Sequence, residues 1–228
     1  GECMYSHILF DMDDTVFDFQ KAQFVSFKYV LAKYDITFSE NIYRTYCDIN
    51  HNLWRQFDKG VLSKDTVQNE RFTRFFNVLG KNINGKQANL LYQESLACQS
   101  WLVPYAKDTC MELSKQHTLF IVTNGVGITQ KNRFLSSEIA PYFSDILISE
   151  DIGVAKPNKA FFYAVFKRIG SIEINKVLLV GDSLTSDIQG ANNIGIDCCW
   201  FNPKGVILDS KVKITYTITD LRQLIDIV

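Results

Sequence analysis

Apolar positions fall into two textures along the 228 residues of the chain. A short apolar run at 8–10 stops at an acid, Asp11. From about Phe19 to about Gln99 the spacing turns helical. Phe24, Phe27, Leu31 and Tyr34 mark one helix, and Ile42, Tyr46, Ile49, Leu53 and Phe57 a second that Gly60 can stop. Ser63 can cap a third helix, which carries Val67, Phe72, Phe75, Phe76 and Leu79 and which Gly80 can end. Ala88, Leu91, Tyr92 and Leu96 mark a fourth.

From Leu102 onward the texture changes. Continuous apolar runs at 119–122, 146–148, 177–180 and 198–201 alternate with amphipathic stretches near 105–116, 128–138, 158–169 and 186–194. Such alternation predicts a parallel sheet covered by helices on both faces. The run at 8–10 is too short to be stable alone and is expected in the same sheet. The predicted fold is therefore α/β: a Rossmann-like, doubly wound parallel sheet interrupted after its first strand by a four-helix insertion. The core spans 1–18 and 100–228, and the insertion spans 19–99.

Composition narrows the function classes. Apolar residues make up 46% and charged residues 21%, which predicts a folded globular chain. A net charge of -1 argues against nucleic-acid and acidic-membrane partners. No apolar run approaches the roughly 18 residues of a spanning helix. The opening stretch has no basic region followed by a long apolar one, so the expected compartment is the cytosol. Six cysteines (Cys3, Cys47, Cys98, Cys110, Cys198 and Cys199) show no C-x-x-C spacing and read as free, mostly buried thiols. Charge is divided unevenly: residues 20–100 carry a net +4 and the remainder a net -5. Solvated surface explains such an imbalance, and so does a basic lid over an acidic site.

In a parallel α/β sheet, ligands bind beyond the carboxyl ends of the strands. Four polar clusters follow the apolar runs. They are Asp11-Met12-Asp13-Asp14-Thr15, Thr123-Asn124-Gly125, Lys156-Pro157-Asn158, and Gly181-Asp182-Ser183 with Asp187. Taken singly, each is ordinary turn or cap chemistry, and Asp14 and Asp18 read as loop or cap residues. Taken together they predict a site. Asp11 and Asp182, both at strand tips, repel unless they share a hard cation, and oxygen-only ligands favour Mg²⁺. Lys156 adds positive charge, and Thr123 with the N–H groups after it suits phosphate oxygens. These parts describe phosphoryl transfer, where the protein supplies positioning and charge stabilisation.

With these four clusters in this order, the chain resembles the haloacid dehalogenase-like hydrolase superfamily over essentially its whole length. Asp11-Met12-Asp13-Asp14-Thr15 is similar to the family's D-x-D-x-T motif, with Thr123, Lys156 and Gly181-Asp182 plus Asp187 as the other three. The insertion is similar to the family's type 1 cap. The resemblance implies Asp11 as the nucleophile that forms an aspartyl-phosphate, and Asp13 as general acid and then base. It implies Thr15 as an orienting residue, Thr123, Asn124 and Lys156 on the phosphate, and Asp11, Asp182 and the Asp13 carbonyl on Mg²⁺. Asp187 is implied behind the metal or bound to it through water. Dehalogenase members lack the second aspartate, so Asp13 favours a phosphatase. A mutase shares this pattern, as do phosphatases of sugar phosphates or phosphoglycolate. A phosphoacceptor receiver module shares the strand-end Asp, Thr and Lys but needs no lid.

A finer resemblance touches the insertion. Asn52-Leu53-Trp54, Phe57-Asp58-Lys59-Gly60 and Glu70-Arg71-Phe72 are similar to the cap of noncanonical pyrimidine 5′-nucleotidases, as are Ile148-Ser149-Glu150 and Cys199-Trp200 in the core. This implies a pyrimidine nucleotide as the small-molecule substrate, with Trp54, Lys59 and Gly60 on the substrate side. Without the resemblance, Trp54 and Phe57 read as bundle core.

Overall fold

The computed structural model describes residues 4–170, 173–207 and 211–228. Cys3 lies outside the described residues. The chain divides into two compact units: Gly1–Phe19 with Ser100–Val228, and Gln20–Gln99.

The first unit is built on six strands: β1 (His7–Phe10), β2 (Thr118–Thr123), β3 (Asp145–Ile148), β4 (Val177–Gly181), β5 (Asp197–Phe201) and β6 (Tyr216–Ile218). Their order is β3-β2-β1-β4-β5-β6, and every pairing is parallel. Side chains of a strand alternate between faces, and here both faces are dry. Ile8, Phe10, Leu119, Ile121, Leu178 and Val180 enter one core cluster; Leu9, Phe120, Val122, Val177 and Leu179 enter the other. The first cluster takes in Ala106, Cys110, Leu113 and Phe134, and the second Phe161, Phe162, Val165 and Ala191. Those residues lie on α5 (Ala106–Leu113), α6 (Gly127–Leu135), α8 (Lys159–Ile169) and α9 (Gln189–Ile194). A short helix, α7 (Ser149–Ile152), follows β3. The sheet is doubly wound, as its continuous apolar strands predict.

Register levels the strand tips. Phe10 pairs with Ile121 on one side and with Val180 on the other. One step further, Asp11 stands beside Val122 and Gly181, with Thr123 and Asp182 just beyond. The chain leaves β2 and β4 in opposite directions across the sheet, which makes this edge the switch point where such folds bind ligands.

The second unit holds α1 (Phe19–Lys33), α2 (Glu40–Asp58), α3 (Lys64–Val78) and α4 (Gly85–Ala97). Ser39, Ser63 and Asn84 cap the last three through their side chains. Gly60 and Gly80 follow α2 and α3 with φ of +71° and +65°, a conformation that costs glycine nothing. The core of this unit is aromatic: Phe27, Tyr46, Phe72, Phe75, Phe76 and Tyr92 are fully buried.

Some expectations need correction. Trp54 and Phe57 are half-buried rather than core, and meet each other edge-on at 5.4 Å. Strand β6 and the final turn Leu221–Asp226 carry no long apolar run and were not expected from the pattern. Helix α9 starts three residues later than expected, because Leu184–Ile188 form a wide π-helical turn. Among the cysteines, Cys98 is exposed and Cys47 half-buried, while Cys110, Cys198 and Cys199 are buried; all five are free.

Candidate active site

Every strand-tip cluster of the sheet unit meets at one edge. Asp11 follows β1 directly. Lys156 is 2% exposed, and its Nζ donates to Asp11 Oδ1 at 2.7 Å, to Asp187 Oδ1 at 2.7 Å and to the Val122 carbonyl at 2.8 Å. Three donors and three acceptors leave this ammonium no freedom to turn. Asn124 fixes the loop that carries it. The Asn124 amide accepts from the Lys156 N–H and donates to the Lys156 carbonyl, both at 2.9 Å.

Asp187 reaches the same place from the wide turn after β4. Its second oxygen accepts from the Ser183 N–H at 3.1 Å. A Cβ on Gly181 would lie 2.3 Å from that oxygen, so only glycine admits Asp187 under the strand tip. Asp182 is held by its carbonyl, which accepts from Trp200 Nε1 at 2.9 Å. The fully buried Thr15 hydroxyl lies 3.4 Å from Asp11 Oδ2 and 3.3 Å from Asp182 Oδ1. Asp14 has φ of +59°, and its carboxylate accepts from the Phe19 N–H at 3.1 Å, so it closes the loop into α1.

Electrostatics show that this cluster is short of positive charge. Asp11, Asp182 and Asp187 offer carboxylate oxygens within 4.8 Å of one another. Burial, together with the Asp187 charge, pushes Asp11 up to about 7 against the opposing pull of Lys156. Burial and the charges of Asp11 and Asp187 push Asp182 well above the usual carboxylate range. Burial works against the Lys156 ammonium, but the two carboxylates override it and hold the group above its ordinary value. Lys156 pairs with two of the three acids; among the described residues Asp182 has the Thr15 hydroxyl in place of a cation. An all-oxygen set of this density fits a hard divalent cation.

Asp13 has a separate environment. Its side chain is 27% exposed, and Arg133 Nη1 donates to its Oδ1 at 2.6 Å. Gln130 Nε2 donates to its Oδ2 at 2.8 Å and to Thr123 Oγ1 at 2.9 Å. Thus Asp11, Thr15, Lys156, Asp182 and Asp187 share one network, and Asp13 and Thr123 are joined through Gln130. Sequence reasoning missed Gln130 and Arg133. Their one signal was position: with the buried Phe134 they mark the inward face of α6 at a spacing of three and four.

Trp54, Lys59 and Gly60 belong to the helical unit, at the end of α2. Lys59 and Gly60 are exposed, Val61 is 66% exposed, and nothing lies within 4 Å of a Cβ built on Gly60. No helix among the described residues is long and apolar enough to cross a membrane.

The model of the haloacid dehalogenase-like hydrolases matches residues 8–201. The chain belongs to that family. It is 37% identical to the HAD-hydrolase YfnB of Bacillus subtilis over 96% of this chain and 94% of that one. The crystal structure of YfnB bound to magnesium, which reveals interdomain movement, matches with a TM-score of 0.95 at 36% identity, covering 99% of each chain. Two relatives are named for an activity on pyrimidine nucleotides. The pyrimidine 5′-nucleotidase PynA of Streptococcus pneumoniae is 32% identical over 97% of this chain and 94% of its own. The pyrimidine 5′-nucleotidase YjjG of Escherichia coli is 29% identical over 95% of each. Glyceraldehyde 3-phosphate phosphatases are also among the relatives.

Proposed function

We propose that the chain is a Mg²⁺-dependent phosphomonoesterase that works through an aspartyl-phosphate and takes pyrimidine nucleoside 5′-monophosphates. The observation that carries the chemistry is the separation of two neighbouring aspartates into two environments. Asp11 sits among acids and beside an ammonium, where a carboxylate can meet phosphorus. Asp13, two residues on, is held apart by a guanidinium and an amide, where it can exchange a proton with a leaving group. Two carboxylates given two surroundings are the usual basis for two catalytic roles.

Asp11, Asp182 and the Asp13 carbonyl would hold the cation, with Asp187 behind it. When bound, Mg²⁺ supplies charge that neutralises the acid cluster and the phosphate together. The residues do the rest. An Asp11 oxygen attacks phosphorus, and Asp13 gives its proton to the departing alkoxide, a contribution of about 10²–10⁴ in rate. Asp13 then takes a proton from the water that hydrolyses the acyl phosphate. The Thr123 hydroxyl and the Asn124 N–H hold phosphate oxygens, and Lys156, its three N–H bonds already placed beside Asp11, offsets their charge.

The motif aspartates see only the phosphate, so the choice of nucleoside falls to the helical unit. Support for a pyrimidine comes from the two nucleotidases, which align over nearly the whole chain, and from the turn after α2. That turn carries Lys59 and the bare backbone of Gly60, and the helix before it carries the half-buried rings of Trp54 and Phe57. A lysine suits ligand oxygens, and an aromatic face stacks on a flat base for about 1–3 kcal/mol. Phosphate release should be measured for dUMP, UMP, dTMP, AMP, GMP and a panel of sugar phosphates, with Mg²⁺ and after EDTA. The pyrimidine nucleotides are expected to turn over well, the purine ones poorly, and all of them to stop without metal. Equal specificity constants for purines and pyrimidines, or a preference for a sugar phosphate, would remove the nucleotidase assignment. Full activity in a metal-free sample would remove the metal as well.

A further inference from the structure

Gln130 and Arg133 lie three residues apart on α6 and are 2% and 0% exposed. Besides its contact with Asp13, Arg133 Nη1 donates to Gln130 Oε1 at 2.8 Å. A guanidinium has no acceptor, so this bond settles which way the amide faces. Its oxygen points at Arg133, and its NH₂ must point at Asp13 and Thr123. Thr123 Oγ1 therefore accepts from Gln130, and it also accepts from the Gly125 N–H at 3.1 Å. A hydroxyl has two lone pairs. With both taken, the Thr123 O–H is free only to donate. Asp13 has one donor on each oxygen, which leaves each oxygen a further lone pair for a proton. Gly125 permits the crossing, because a Cβ there would lie 2.4 Å from Gln130 Cδ.

We propose that Gln130, oriented by Arg133, is a positioning residue that serves both ends of the transferred group. It holds the Asp13 carboxylate in one orientation, and it commits the Thr123 hydroxyl to donating toward a phosphate oxygen. The proposal rests on the phosphomonoesterase reading above. It adds that one buried amide couples the acid–base residue to the phosphate-binding one.

The test compares Gln130→Ala and Gln130→Glu with wild type in single-turnover assays. The substrates are an alkyl phosphate and a nitrophenyl phosphate, and inorganic phosphate serves as a competing ligand. Glutamate keeps the shape of glutamine but cannot donate two N–H bonds. A packing role survives Gln130→Glu; a positioning role does not. Both variants are expected to slow transfer from the alkyl ester about 10–100-fold, part of what a general acid supplies. The nitrophenyl ester, which needs little protonation, should lose several-fold less, and inorganic phosphate should bind several-fold more weakly. Arg133→Lys should retain more of the alkyl-ester rate than Arg133→Met. If Gln130→Ala does not fold, Gln130→Glu decides alone. Near wild-type rates in Gln130→Glu, or an equal loss on both esters with phosphate binding unchanged, would overturn the proposal. Wild-type protein that hydrolyses neither ester would instead overturn the phosphomonoesterase reading, and this proposal with it.

Discussion

Arg133 in the sheet unit and Arg71 in the helical unit are both buried, yet their charges are met differently. Arg133 faces the Asp13 carboxylate. Arg71 faces a neutral partner: its Nε and Nη2 donate to Asn89 Oδ1 at 2.8 and 2.6 Å, and its guanidinium lies 4.4 Å from the centre of the Tyr92 ring. Around Arg71 the helical unit is a dense set of rings, including Phe72, Phe75 and Tyr46. The sheet unit instead gathers carboxylates at one edge and leaves them short of cations. One unit buries charge within its packing, and the other buries it where the proposed chemistry runs. Removing charge should therefore have opposite consequences in the two.

The largest effect is expected at Asp11. Asp11→Asn keeps the shape but removes the proposed nucleophile and one charge proposed for the metal. Turnover should fall by well over 100-fold, while the melting temperature holds or rises because a crowded acid has been neutralised. Residual activity above about a hundredth of wild type would argue against covalent catalysis by Asp11. In the helical unit the expectation reverses. Arg71→Ala strands the Asn89 oxygen and opens a cavity, at a cost of about 3 kcal/mol in a denaturant melt. The kcat per folded molecule on a small nitrophenyl ester should change little. A stable Arg71→Ala would show that the helical unit does not need its buried guanidinium.

A smaller effect separates the units by pH. The folded state raises Asp11 from 3.8 to about 7, chiefly through burial and then through Asp187. In metal-free protein the native state therefore holds that proton more tightly than the unfolded chain does. This stabilisation is complete below about pH 4 and is lost as pH rises through 7. Melts across pH 4–8 should decline for the metal-free wild type and decline less for Asp11→Asn. Arginine does not titrate in this range, so Arg71 adds no slope. Identical slopes in the two proteins would place the pH dependence elsewhere.

How far the sequence disclosed this arrangement depended on what each residue does. The strands at 119–122 and 177–180 announce themselves because a strand buried on both faces must be apolar throughout. β6 lies at the sheet edge, where Tyr216 and Thr217 are not fully buried and alternation is weak, so no run marks it. The strand-tip clusters are legible because sheet topology dictates where to look. Gln130 and Arg133 are not, since a polar residue on a helix reads as a solvated face unless the fold shows that the face is inward. Trp54 and Phe57 fail for the opposite reason: an aromatic at helical spacing reads as core, and the chain instead leaves these two rings half-exposed.

The central position of β1 has a consequence for how the chain is made. Its four residues pair with 118–121 and with Val177–Val180. During synthesis, neither partner exists until long after His7–Phe10 have emerged, whereas the helical unit is complete by residue 99. For most of that interval Ile8, Leu9 and Phe10 form an unmatched apolar strand, the kind of segment that pairs with copies of itself. The strand is short, and Asp11, Asp13 and Asp14 follow it at once. Charges that flank an unavoidable apolar strand act as gatekeepers against such self-association. Two of these acids, Asp11 and Asp13, are the ones proposed here for catalysis, and they protect the nascent chain before there is any site for them to serve.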